Sequence, residues 1–191
     1  MKKVIFSILG CLFFSLHAGQ APNKTTLMRA YQDARVKAFL DVLAYAEGTM
    51  YHTRVKNVPD QYRITFCDDG KIRTFKDHPR KKCCRPVGER IICATAAGRY
   101  MFLQKTWDWV QKKLNLSDFS PINQDLAALY LLEVSGALEA IKRNDVCAAL
   151  KKSSRFWAPL PGNGYNQPQV SLTGLLPFYA KRVHFHKGGR T

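Results

Sequence analysis

The sequence contains few acidic residues. Only 14 Asp and Glu stand against 30 Lys and Arg in 191 residues, which gives a formal charge of +16. It also lacks internal repeats, low-complexity tracts and any apolar run as long as a membrane-spanning helix requires. These absences exclude an acidic solvating protein, a repeat protein and a conventional membrane protein. The basic excess favours an anionic partner, and the length fits one globular domain.

The first residues predict export from the cytoplasm. Lys2 and Lys3 precede an apolar run of 13 residues, Val4–Leu16, and this order is typical of a secretory signal peptide. Cleavage fits after Ala18 or after Ala21, and its loss lowers the formal charge from +16 to +14. The alternative is a weak membrane tether, for which the run is short. We expect a signal peptide over residues 1–18, a periplasmic or extracellular location, and membrane contact only through that signal.

Six cysteines are many for a reducing cytosol. Five remain after the signal, and in an oxidising compartment they predict two disulfides and one leftover thiol. The pairing stays open among Cys67, Cys83, Cys84, Cys93 and Cys147. Zinc is the alternative, but no C-x-x-C pair is followed by a second matching pair. We therefore expect neither a metal site nor a cofactor.

Apolar periodicity predicts mostly helical structure. One helix is expected over residues 29–47, ended by Gly48, and further helices from Gln104, after the Ser120–Pro121 cap and after Asp145. Alternation over 62–66, turn residues at 68–70 and a second apolar stretch over 72–75 predict a small hairpin. Residues 71–90 hold eight Lys and Arg, the densest basic segment of the chain.

Glu47 departs from the pattern of its own helix. It lies on the stripe formed by Val36, Leu40 and Leu43, at the last turn. An apolar environment and the negative end of the helix dipole both raise the pKa of a carboxyl group. A carboxylic acid that is protonated near neutral pH suits general acid catalysis. The alternative is an ordinary solvated glutamate at a helix end.

Five segments in order resemble the phage-lambda-type endolysins over roughly residues 35–168. The matching segments are Ala38–Thr49 (AFLDVLAYAEGT), Asp77–Arg80 (DHPR), Thr95–Tyr100 (TAAGRY), Asp118–Asp125 (DFSPINQD) and Trp157–Tyr165 (WAPLPGNGY). The resemblance implies an α+β, lysozyme-like fold, mostly helical, with a small antiparallel sheet flanking a catalytic cleft. It also implies a domain organisation of a leader over residues 19–30, a catalytic domain over 31–185 and a basic tail over 186–191.

The family resemblance implies cleavage of the β-1,4 bond between N-acetylmuramic acid and N-acetylglucosamine in peptidoglycan strands. Its catalytic glutamate falls on Glu47, and the implied mechanism is that of a lytic transglycosylase, which forms 1,6-anhydromuramic ends. We assign substrate binding within the matched segments and beside them, and expect a monomer. The assigned residues are Tyr45, Thr95, Arg99, Tyr100, Gln104, Gln124 and Tyr165.

Three departures from the family pattern are visible. Met101 replaces the usual glutamine after the G-R-Y triplet, and Arg63 replaces an acidic residue in the hairpin segment. The first lip of the cleft, roughly residues 78–93, is longer and carries three cysteines, which raises the hypothesis that its opening depends on redox state.

Two alternatives to a transglycosylase remain. A hydrolytic muramidase would need a second carboxylate, for which Asp68, Asp69 and Asp77 are candidates. The other alternative is a non-catalytic protein that binds the cell wall through its basic charge, in which Glu47 would have no catalytic role. Nucleic acid is not expected as a partner, because the sequence has no zinc-finger spacing and no RNA-binding aromatic motif.

Overall fold

The computed structural model describes residues 22–50, 60–67, 72–87, 90–162, 164 and 168–189. Seven helices and two strands are described within these ranges. In chain order they are α1 (Lys24–Ala30), α2 (Ala34–Ala46), β1 (Cys83–Val87), β2 (Arg90–Ala94), α3 (Gln104–Leu114), α4 (Pro121–Val134), α5 (Ala137–Lys142), α6 (Val146–Ser153) and α7 (Leu172–His186). The fold is mostly helical with one two-stranded antiparallel sheet, as the sequence predicted.

Helix α2 forms the centre of the molecule. Nearly all of its residues are buried, from Val36 to Ala46, so its burial exceeds the single apolar face that the sequence suggested. The Asp33 carboxylate accepts a hydrogen bond from the Arg35 backbone N–H and caps its first turn. Helix α7 packs along α2, and α5 packs against it as well. This packing holds the last turn of α2, and therefore Glu47, in a fixed position.

The N-terminal part of the fold begins earlier than predicted. Residues 24–30 form α1, which starts in a capping box at Asn23 and buries Leu27 in the core. The predicted leader, residues 19–30, therefore contributes a packed helix, and a turn at 31–33 separates this helix from α2. The predicted signal peptide, residues 1–18, lies outside the described residues.

The predicted hairpin over residues 62–66 and 72–75 is wrong. Residues 61–63 form a 3-10 turn capped by the Asp60 carboxylate, and residues 72–75 form no strand. The alternating pattern has a different cause: this segment pairs with the 96–98 turn. The Phe66 N–H donates to the Ala96 carbonyl at 2.9 Å, and the Gly98 N–H donates to the Ile64 carbonyl at 2.8 Å.

The hairpin of the structure lies instead in the basic, cysteine-rich segment. Strand β1 pairs with β2 so that Cys84 faces Cys93 and Arg85 faces Ile92. Disulfides join Cys84 to Cys93 and Cys67 to Cys83, while Cys147 is a free, exposed thiol. The expectation of two disulfides and one leftover thiol is confirmed. The first bridge closes the hairpin, and the second ties it to the chain beside Phe66.

The predicted starts of the later helices are confirmed. Helix α3 begins at Gln104, α4 begins with Pro121 after Ser120, and the Asp145 carboxylate caps α6 at the Ala148 N–H. Helix α7 was not predicted; it tolerates Pro177 in its interior and buries Leu175 and Tyr179. Among the described residues, no helix has the length and hydropathy needed to cross a bilayer.

Candidate active site

A cavity of about 470 Å³ opens at the C-terminal end of α2, and Glu47 forms part of its wall. The β-hairpin contributes one side through Arg85 and Ile92, and the loop at 168–170 contributes another. The described lining residues are Ala46, Glu47, Phe66, Arg85, Ile92, Ala94, Ala96, Met101, Leu103, Phe156, Ala158, Pro159, Pro168, Gln169 and Val170. Most of these side chains are apolar, and Glu47 is the one carboxylate among them.

The backbone around Glu47 explains its fixed position. Glu47 is the C-cap of α2, and its N–H donates to the Leu43 carbonyl at 2.9 Å. Gly48 follows with φ of +74°, the left-handed conformation that ends a helix and favours glycine. The buried Thr49 hydroxyl lies 3.0 Å from the Ala44 carbonyl oxygen and 2.6 Å from that of Arg99. The turn after Glu47 is thereby joined to the 98–101 turn, which contributes Met101 to the cavity lining.

Burial raises the pKa of Glu47 to about 8. The surrounding cavity is mostly apolar, and an ionised carboxylate is poorly solvated there. The carboxyl group is therefore protonated at neutral pH and can donate a proton to a bound molecule. The sequence predicted this direction from the position of Glu47 on an apolar stripe.

A buried ionic cluster lies beneath the site. The Arg99 guanidinium contacts the Asp41 carboxylate of α2 and lies 3.6 Å from the Asp125 carboxylate of α4. On its other side, Asp41 accepts a hydrogen bond from Arg182 of α7 at 2.6 Å. His186 Nε2 of α7 lies 2.7 Å from the same Asp41 oxygen. The cluster therefore joins α2, α4 and α7 to the turn that faces Glu47.

Three tyrosine hydroxyls complete this cluster by donating to Asp125. Tyr100 donates at 2.6 Å, Tyr31 at 2.9 Å and Tyr62 at 3.0 Å. Burial raises the pKa of Asp125, and Arg99 together with the hydroxyl donors opposes that rise. With four partners for one carboxylate, the buried charge is compensated.

Arg99, Tyr100 and Gln124 were predicted to bind substrate, and the structure places all three in the buried framework. Gln124 is fully buried; its Oε1 accepts from the Arg99 N–H at 2.9 Å, and its Nε2 donates to the Phe119 carbonyl at 2.8 Å. Gly98 packs directly on it, because a Cβ at that position would lie 2.3 Å from Gln124 Oε1. These residues hold the 98–101 turn in place, and none of them is among the described residues that line the cavity.

The remaining predicted binding residues are divided. The Thr95 hydroxyl accepts a hydrogen bond from the Gln104 N–H at 3.0 Å, so Thr95 caps α3 between two lining residues. The Tyr45 ring stacks on Phe178 of α7, with centroids 4.5 Å apart, rather than joining the described lining. Tyr165 lies outside the described residues, and the nearby 168–170 segment lines the cavity.

Asp77, the one described candidate for a second carboxylate, is not among the residues that line the cavity. Asp77 forms an ion pair with Arg80 at 2.9 Å and is the last acidic residue before the hairpin. Asp68 and Asp69 fall outside the described residues. The described part of the chain holds no group of three or more His, Cys, Asp or Glu side chains placed to bind a metal ion.

Sequence reasoning missed most of the apolar cavity wall. Phe156, Ile92 and Leu103 come from three distant segments, and no local pattern distinguishes them from core residues. Arg85 was counted only as part of a basic segment, whereas its guanidinium lies over the Phe66 ring, 4.2 Å from the ring centroid. The β-pairing of Arg85 with Ile92 brings this pair to the cavity, and that pairing was not predicted.

Comparison with known proteins gives consistent results. The sequence model of the endolysin family matches residues 37–185. The endolysin of Escherichia phage lambda is 42% identical over 141 residues, which cover 73% of this chain and 85% of the relative. The endolysin of Escherichia phage P2 is 38% identical over 146 residues, which cover 74% of this chain and 88% of the relative.

Solved structures agree. A bacteriophage lambda lysozyme complexed with a chitohexasaccharide superimposes with a TM-score of 0.69 at 36% identity. The alignment covers 83% of this chain and 97% of that chain. A second structure, of lysozyme from bacteriophage lambda, gives a TM-score of 0.63 at 33% identity, over 82% and 94% of the two chains.

Proposed function

This chain belongs to the endolysin family and is a peptidoglycan-degrading lysozyme, and we propose that it acts as a lytic transglycosylase with Glu47 as its general acid and base. The observation that carries the proposal is the position of Glu47 in the wall of an apolar cavity, where burial raises its pKa and no second carboxylate is among the described lining residues. The solved relative that holds a chitohexasaccharide supports a glycan as the ligand of this cavity.

The proposed reaction needs a single acid. Glu47 donates its proton to the glycosidic oxygen between N-acetylmuramic acid and N-acetylglucosamine, and the bond from that oxygen to C1 of the muramic acid breaks. The Glu47 carboxylate then takes the proton of the muramic acid's C6 hydroxyl, and O6 forms a bond to C1. The products are a free 4-hydroxyl and a 1,6-anhydro end. Glu47 regains its proton, and no water is consumed.

A raised pKa serves both halves of this cycle. At neutral pH the raised pKa keeps Glu47 in its protonated form, so the proton to be donated is present, and the carboxylate formed afterwards is poorly solvated and therefore a stronger base. A hydrolase of the two-carboxylate type instead requires a second ionised group and an ordered water. The described lining offers Glu47 alone for these roles.

The substrate lies outside the cytoplasmic membrane, so the enzyme acts there. We propose that residues 1–18 are the export signal that brings it to this location, and that the protein works as a monomer. We propose substrate contacts beyond Glu47 at Gln104, which follows the lining residue Leu103, and at Tyr165, which precedes the lining segment 168–170 in the sequence. Attraction of the basic mature chain to anionic stem peptides supports binding to the wall.

Muropeptide mass spectrometry tests the proposal. Purified peptidoglycan is digested with the mature protein, with Glu47→Gln and with Glu139→Gln, whose carboxylate is exposed and paired with Lys142. The wild type and Glu139→Gln should release products lighter by one water than hydrolytic muropeptides. Glu47→Gln should release none while staying folded. Products with reducing ends would favour the hydrolytic alternative, and full lysis by Glu47→Gln would favour a wall-binding protein.

A further inference from the structure

One tryptophan of this chain remains exposed beside the active site. The chain has three tryptophans, and Trp107 and Trp157 are buried in the core. Trp109 on α3 keeps 39% of its surface accessible to solvent. Tryptophan supplies more apolar contact area than other side chains, and an exposed one beside a binding cavity points to a contact with a ligand.

Trp109 continues the aromatic wall of the cavity. Its ring stacks on Phe156 with centroids 6.4 Å apart and planes inclined by 30°. Phe156 lines the cavity, so the aromatic surface runs from the cavity wall outward to Trp109. We call Trp109 and Phe156 the aromatic platform.

The aromatic platform is held from two sides. The Trp109 ring also packs edge-to-face on Tyr130 of α4, with centroids 5.5 Å apart. The Arg155 guanidinium lies 4.6 Å from the centre of the Phe156 ring. Both rings therefore have fixed orientations before any ligand binds, which reduces the entropy cost of binding.

Because the aromatic platform is continuous with the cavity wall, we expect it to contact the same ligand as the cavity. A glycan strand that places one bond at Glu47 extends beyond the cavity in both directions. The C–H face of a sugar ring is apolar and packs on an aromatic plane, while the hydroxyl groups at its rim stay in water. We propose that the aromatic platform is a distal subsite, where Trp109 stacks on a saccharide of the glycan strand outside the cavity.

This inference rests on the proposed function and adds a dependence on glycan length. A strand long enough to reach Trp109 gains the stacking contact, whereas a short glycan that occupies only the cavity does not. Because the stacking contact does not involve the glycosidic bond at Glu47, it should contribute to binding and affect KM more than kcat.

Binding experiments test the platform in Glu47→Gln, which prevents turnover. Calorimetric titration with chitohexaose and with chitotriose compares a long and a short neutral glycan. Trp109→Ala should weaken chitohexaose binding about tenfold and leave chitotriose binding unchanged. Trp109→Phe, which retains an aromatic face, should recover most of the loss. Phe185→Ala removes an equally exposed aromatic ring on α7, with 42% exposure, and should change neither.

Fluorescence gives a second readout of the same contact. The acrylamide-accessible tryptophan emission should come from Trp109, because the other two indoles are buried. Saturating chitohexaose should protect this emission, and chitotriose should not. Equal protection by the two glycans, or unchanged chitohexaose binding in Trp109→Ala, would overturn the subsite.

The outcomes separate the subsite from the reaction. If the wild type releases anhydro products and Trp109→Ala matches it on long and short strands, the subsite is wrong and the proposed function stands. If the wild type releases none, the proposed function fails whatever the binding data show. A loss in Trp109→Ala on peptide-bearing strands with unchanged chitohexaose binding would assign the platform to stem peptides and overturn the sugar contact.

Discussion

Two features of the position of Glu47 oppose its ionisation: it is the C-cap of a buried helix, and it lies in the wall of an apolar cavity. Its protonation at neutral pH follows from these surroundings and not from a neighbouring acid, because burial is the cause of the raised pKa. The raised pKa that the proposed catalysis requires therefore follows from the packing around one side chain.

The pH dependence of activity should follow the protonation of Glu47. With a pKa of about 8, the donor form predominates below pH 8 and declines above it. We expect kcat/KM to be nearly constant from pH 6 to about pH 7 and to fall about tenfold per pH unit well above 8. Initial rates of peptidoglycan solubilisation over this range measure it. A decline centred near pH 5 would contradict a buried acid.

The same pKa has a consequence for stability. Glu47 has a raised pKa when folded, so its favourable contribution is complete below about pH 4.5 and is lost as pH rises toward 8. Glu47→Gln should therefore raise the free energy of unfolding at pH 7 by about 2 kcal/mol, a value reduced for residual solvent contact. At pH 4 it should be neutral. Urea unfolding of both proteins at the two pH values measures this, and a destabilised Gln variant at pH 7 would contradict it.

At the scale of elements, the 98–101 turn is held by buried polar contacts beneath the cavity. Arg99→Met would leave the Asp41 and Asp125 carboxylates without their shared cation. We expect a loss of about 3 kcal/mol in the free energy of unfolding, because one partner of a buried ion pair is removed. Chemical denaturation gives the stability, and kcat/KM corrected for the folded fraction should change little. A large drop in kcat/KM with unchanged stability would favour the substrate-binding assignment of Arg99 over a structural role.

The hairpin provides a second prediction at this scale. The Cys67–Cys83 and Cys84–Cys93 bridges hold the strands that carry Arg85 and Ile92 to the cavity. Reduction of both bridges should loosen this wall of the cavity and lower activity several-fold. It should also lower the free energy of unfolding by about 3 kcal/mol, chiefly because the Cys67–Cys83 bridge closes the longer of the two loops. Cys147→Ser serves as the control, since that thiol is free and exposed, and it should behave as the wild type. Equal activity with and without reductant would contradict a role for the bridges in the cleft.

At the scale of the whole molecule, the basic charge should act as a long-range attraction to the wall. Raising the salt concentration shortens the range of electrostatic attraction, so solubilisation of anionic peptidoglycan should slow markedly. Binding of uncharged chitohexaose to Glu47→Gln should stay nearly constant over the same range. Turbidity assays and calorimetry at matched salt concentrations provide the comparison. Equal salt sensitivity of both would indicate a local effect at the site.

Much of this architecture could be predicted from the sequence. The apolar stripe that ends at Glu47 predicted α2 and singled out Glu47 as a candidate acid. The Ser120–Pro121 and Asp145 caps predicted the starts of α4 and α6. The hairpin was predicted in the wrong place because the polar–apolar alternation over residues 62–66 was assigned to a local hairpin. This segment instead pairs with the 96–98 turn, which is distant in the sequence.

The residues that bind substrate are hard to assign from the sequence for a related reason. A motif reports that a residue matters to the fold or the site without distinguishing the two. Arg99, Tyr100 and Gln124 lie in segments that match the family, but their side chains are buried and are not among the described residues that line the cavity. The residues that form the aromatic platform meet only when α3 packs beside the chain after α6.

Digestion of peptidoglycan in water labelled with heavy oxygen tests the central claim most directly. If Glu47 transfers a proton from the C6 hydroxyl and no water enters the reaction, the released muropeptides carry 1,6-anhydro ends without the label. If a water attacks C1, each new reducing end carries one labelled oxygen. Unlabelled anhydro products that disappear in Glu47→Gln are the result that this account predicts, and labelled reducing ends from the wild type would contradict it.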